Sequence, residues 1–269
     1  MRDWDKAYYN SGAVPEAEAI FAGWQTKAQE FRADCRGELS VAYGDTPRQS
    51  FDVFWPEETP RATMVFVHGG YWKAFDKENF SHFAGGAMQH GLCVAMPGYD
   101  LCPAVSIHQI TRQIQRSIET IAKTCPGPIV LTGHSAGGHL VARMVCDDIL
   151  FPASLRSRIK RIIGISGLYD LRPLCRTRMN DTLGLTAEEA HAESPVLSAP
   201  HEPCDLVAWV GADELSEFRR QTASLYNLWR GFDIRIEHHE AMDRNHFTVL
   251  DDLCDPGSQL MQTALAALV

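Results

Sequence analysis

The chain has 269 residues, of which 45% are hydrophobic and 22% charged, enough apolar content for a sizeable buried core and too much for a disordered chain. Its formal charge of −9 is spread along the sequence with no Lys/Arg-rich segment, which speaks against a nucleic-acid partner. The opening residues MRDWDKAYYN place acids where a leader would be apolar, and no run of about eighteen apolar residues occurs, so the expectation is a soluble, cytoplasmic protein with no membrane contact. Runs rich in β-branched and aromatic residues then follow in order: ELSVAY from 38, SFDVFW from 50, ATMVFV from 62, LCVAMP from 92, PIVLTG from 128, IKRIIGIS from 159, DLVAWVG from 205 and DIRIEHH from 233. From the third onward each is separated from the next by room for a helix. This rhythm predicts an α/β fold, hairpin strands leading into βαβ units and a mostly parallel eight-stranded sheet covered on both faces. Between 106 and 123, Ile107, Ile110, Ile114, Ile118 and Ile121 recur three or four apart, one face of a sheet-covering helix. Residues 136–147, 215–230 and the last stretch, SQLMQTALAALV, also read as helices, and 170–203, with four prolines and no sustained period, as an irregular, cap-like insertion in a single domain.

The eight cysteines are scattered without a C-x-x-C pair and read as reduced core thiols. No metal-ligand spacing or phosphate loop is present, so neither metal nor cofactor is expected.

After the fifth strand comes Gly133-His134-Ser135-Ala136-Gly137, a G-x-S-x-G pattern that follows VLT and opens an apolar-periodic helix. In that setting a strained turn projects the serine hydroxyl, while the flanking glycines let strand and helix approach. A serine needs a base and a carboxylate to orient that base. Of the histidines beyond the serine's helix (His191, His201, His238, His239, His246), His246 lies in the polar loop AMDRNHFTVL after the last strand and is the expected base, with His239 as the alternative. Asp213, directly after the seventh strand, is the expected acid; Asp170, after the sixth, is the alternative, and Asp205 begins a strand at the wrong end of the sheet. Attack on a carbonyl creates an oxyanion that fixed N–H donors must receive. Those donors are expected from Ala136 and from Gly69 and Gly70 in VFVHGGYWKAF, with His68 bracing the loop rather than acting as a second base. His139, one helical turn beyond Ser135, should sit beneath the serine's turn.

HGGYW at 68–72, YDLCP at 99–103, GHSAGGHL at 133–140, SGLYDL at 166–171 and NHF at 245–247 together resemble the kynurenine formamidase (arylformamidase) group of the α/β-hydrolase superfamily. The likeness runs over nearly the whole chain, with one departure, Gly98 where relatives often carry asparagine. The resemblance implies Ser135, Asp213 and His246 as catalytic residues, Gly69, Gly70 and Ala136 as the oxyanion site, and hydrolysis of an aryl formamide such as N-formylkynurenine through a formyl-enzyme. A flat aromatic leaving group suits a pocket walled by Tyr71, Trp72 and Tyr99, although the two residues of the YW pair could equally fill the core. The small-molecule substrate is the expected partner, and a homodimer is left open. The alternatives are a carboxylesterase or a carbamate or thioester hydrolase with the same residues, and, as a minor reading, a non-catalytic binding protein.

Overall fold

The computed structural model describes residues 2–268. All eight predicted strands form: β1 (Gly37–Ala42), β2 (Ser50–Phe54), β3 (Ala62–Val67), β4 (Leu92–Pro97), β5 (Ile129–His134), β6 (Ile159–Ile165), β7 (Asp205–Gly211) and β8 (Arg235–Ala241). They make one sheet in the order β1-β2-β4-β3-β5-β6-β7-β8. β2 pairs antiparallel with β1 and β4, and every later pairing is parallel. Alternation explains the continuous apolar runs. In β3, Val65 and Val67 enter one core cluster while Met64 and Phe66 enter the cluster on the opposite face, so both faces need apolar side chains.

The helices are α1 (Trp4–Ala7), α2 (Asn10–Ala13), α3 (Ala17–Asp34), α4 (Gly85–Gln89), α5 (Ile107–Thr124), α6 (Ala136–Arg143), α7 (Ala153–Arg156), α8 (Asn180–Leu183), α9 (Ala187–Ala192), α10 (Ser216–Trp229) and α11 (Gln259–Leu265). α5 starts where Ser106 and Gln109 form a reciprocal cap, and its five isoleucines are fully buried. The predicted C-terminal helix is realised as α11 and a short 3-10 turn, its last residue, Val269, lying outside the described residues. The 170–203 segment is less irregular than its prolines suggest: it holds α8, α9 and 3-10 turns at Arg172–Arg176 and Pro195–Leu197. A buried ion pair between Arg143 of α6 and Glu193 (3.2 Å) ties this segment to the core. The eight cysteines are unpaired. Among the described residues no helix is long and apolar enough to cross a membrane.

Candidate active site

β5 ends in a turn too tight for ordinary side chains. A Cβ on Gly133 would stand 2.2 Å from the Gly137 carbonyl oxygen, and one on Gly137 would stand 2.0 Å from that of Val67. Between them Ser135 takes φ 55° and ψ −116°, a strained conformation held by its N–H donating to Ile165 O at 2.8 Å. We expect Gly137→Ala to lose about 3 kcal/mol of stability in denaturant unfolding, because the clash is with backbone that cannot step aside.

Beyond β3 the chain returns to the serine. A Cβ on Gly69 would lie 3.0 Å from Ser135 Cβ, which fixes how closely the two turns meet. Gly70, Tyr71 and Trp72 all have positive φ, at 116°, 51° and 56°. The N–H groups of Gly69, Gly70 and Ala136 donate to no backbone acceptor among the described residues, and Ala136 opens α6, whose first N–H groups have no helical partner. His68 is buried under this loop, its Nδ1 2.7 Å from Gly69 O and its ring stacked on Tyr99 at 4.4 Å. Burial pushes its pKa down to about 4, which keeps the imidazole neutral.

His246 lies beyond β8 and lines the same cavity as Ser135. Its ring is held between His134 (4.7 Å) and Phe218 (4.5 Å), and its Nδ1 meets Glu214 Oε2 at 2.7 Å. The other oxygen, Oε1, accepts from Gly211 N at 2.8 Å and Ser166 Oγ at 2.5 Å, so three donors fix this buried carboxylate. The expected acid, Asp213, does not meet His246. It precedes Glu214 in the turn after β7, its side chain is exposed, and its N–H donates to Arg244 O. The alternative acid, Asp170, is taken up by Arg172, with contacts at 2.8 and 2.9 Å. His239, the alternative base, stacks on Trp209 of β7 and contacts Glu237.

His134, the residue before the serine, went unassigned in the sequence pattern. Its Nε2 donates to His246 O at 2.8 Å, tying the His246 loop to the serine's turn. Burial, reinforced by the neighbouring His246, pushes its pKa well down, so it stays neutral.

A cavity of about 820 Å³ opens over Ser135 and His246, within the size range of small-molecule sites. Phe21 and Trp24 of α3, Tyr71, Phe75, Phe80 and Phe247 give it an aromatic wall, and the N-terminal segment from Asp3 to Ser11, apart from Trp4 and Ala7, together with Arg178 and Met179 forms its outer part. Two of the three predicted pocket residues are elsewhere. Trp72 is fully buried edge-on to His139 at 5.1 Å, because its positive φ turns it under the serine's helix. Tyr99 is fully buried, donating to His68 O at 2.9 Å. Gly98 sits against Arg48 and Ser50 and does not line the cavity.

The profile of the alpha/beta hydrolase family matches residues 64–262, and the chain belongs to that family. Kynurenine formamidase of Salmo salar is 29% identical over 237 residues, spanning 84% of this chain and 80% of that one. The Danio rerio kynurenine formamidase is 28% identical with the same coverage. Among solved structures, a Silicibacter protein provisionally called a thioesterase superimposes with a TM-score of 0.93 at 42% identity, covering 98% of this chain and 99% of its own. The protein is a hydrolase of the kynurenine formamidase-like kind.

Proposed function

We propose that the protein hydrolyses an aryl formamide, such as N-formylkynurenine, to formate and the arylamine, with Ser135, His246 and Glu214 as its triad. The observation that carries this reading is the aromatic-walled cavity over Ser135, in a chain similar to two kynurenine formamidases along most of its length. With Nδ1–H donated to Glu214, the Nε2 of His246 is left with its lone pair and takes the Ser135 proton as Oγ attacks the formyl carbon. The N–H groups of Gly69, Gly70 and Ala136 receive the oxyanion; each such donor contributes about 3 kcal/mol to the transition state. Collapse breaks the C–N bond, and His246 returns the proton to the departing nitrogen. Water, deprotonated by His246, then attacks the formyl ester, releasing formate and restoring the serine. The 170–203 segment serves as a partial cap through Arg178 and Met179.

The thioesterase name of the Silicibacter structure supports a second reading, a thioester hydrolase with the same residues, for which p-nitrophenyl acetate stands in as an activated acyl donor. A kcat/KM comparison of N-formylkynurenine with p-nitrophenyl acetate separates the two. The formamide is expected at about 10⁴ to 10⁸ M⁻¹s⁻¹ and above the ester; an ester preference of orders of magnitude would overturn the formamidase reading.

A further inference from the structure

Among the described residues, one buried side chain of the cavity wall has a polar atom without a partner. Asn10, at the start of α2, is 4% exposed and lines the cavity. Its Nδ2 donates to the Tyr71 hydroxyl at 3.3 Å, and that hydroxyl donates to Tyr8 O at 2.5 Å. A phenol has one proton. Since it is spent on Tyr8, the Tyr71 oxygen must accept from Asn10, which fixes the amide with nitrogen toward Tyr71 and oxygen away from it. Asn10 Oδ1 is then left buried with no partner. Buried acceptors are ordinarily satisfied, so an orphan in a cavity wall calls for a donor on the ligand.

The segment that carries Asn10 is firmly held. The Tyr8 hydroxyl donates to Glu217 at 2.7 Å and accepts from Gln221 at 3.1 Å, and Arg2 reaches Glu217 at 2.7 Å. By contrast Lys6, Lys73 and Arg178 are exposed at the rim, where water competes for their charges. The Tyr71 side chain separates the Asn10 amide from the oxyanion glycines by its own length, so the group Asn10 meets is remote from the scissile bond.

We propose that Asn10 is a specificity-determining residue, whose Oδ1 accepts a hydrogen bond from an N–H group carried by the aromatic leaving group away from the formyl end. This rests on the aryl-formamide reading and narrows its substrate class to arylamines bearing a second, distal N–H donor. An uncharged acceptor takes either an amide N–H or an ammonium, and because the contact is the same in ground and transition states it acts through KM.

The test compares N-formylkynurenine with its analogue in which the side-chain amine is replaced by hydrogen. The native enzyme should favour the amine-bearing substrate by about 10-fold in kcat/KM, the effect of one good hydrogen bond. Asn10→Ala should bring that ratio close to one, with the change in KM rather than kcat. Tyr71→Phe, which leaves the amide in place but removes the bond that orients it, should lower the ratio partway, and melting temperatures show whether each variant keeps its fold. A native ratio near one, or a ratio that Asn10→Ala leaves unchanged, overturns the proposal. Should neither formamide be hydrolysed, the aryl-formamide reading falls by itself. The role of Asn10 is then read from inhibition of p-nitrophenyl acetate turnover by kynurenine and by its desamino analogue, where the same loss of preference in Asn10→Ala upholds it and equal inhibition of the native enzyme overturns it.

Discussion

Ser135→Ala is expected to lower kcat about a millionfold, the scale seen when a triad nucleophile is removed while the oxyanion donors remain. The loss should come without unfolding. The strain at Ser135 is imposed by its surroundings, from the Ile165 carbonyl on one side to the close approach of Gly133 and Gly137 on the other, and not by the hydroxyl. Denaturant unfolding of the variant should therefore match the parent within about 1 kcal/mol. Substantial residual turnover in a folded variant would place the nucleophile elsewhere.

The second large effect separates two neighbouring acids. Glu214→Gln should cost about ten-thousandfold in kcat, because the amide can turn its NH₂ toward His246 and favour the wrong imidazole tautomer. It would also upset the contacts with Gly211 N and Ser166 Oγ that fix the carboxylate. Asp213→Asn, one residue earlier and exposed, should leave kcat near the parent value. The opposite pattern would restore the assignment that the sequence pattern alone suggests.

What could be read from the sequence follows from how local each signal is. The strands are short runs with apolar, β-branched or aromatic residues, and each forms where it is expected. The helix Ala17–Asp34 was not anticipated, although Ala17, Trp24 and Ala28 form its buried stripe, because alanines and an internal glycine blur the period. That omission mattered for the site: this helix brings Phe21 and Trp24 into the cavity. The WVGADEL turn offers two adjacent carboxylates, and which one turns inward depends on the backbone path after β7, with Gly211 N and Ser166 waiting on the buried side. The aromatic pair after Gly69 and Gly70 divides in the same way. Positive φ at both residues sends Tyr71 toward the cavity and Trp72 into the core, a handedness that no residue-type pattern encodes. Asn10 is the extreme case, since its place in the wall depends on contacts between the first residues and Tyr71, Glu217 and Gln221.

Whether Ser135 is the nucleophile of an aryl-formamide hydrolase is read from titration of the protein with a fluorophosphonate, followed by peptide mass spectrometry and an assay with N-formylkynurenine. The expected result is a single adduct on the Ser135 peptide, with formamide hydrolysis falling in proportion to the fraction labelled. An adduct on another residue, or formamide hydrolysis that survives complete labelling of Ser135, would contradict it.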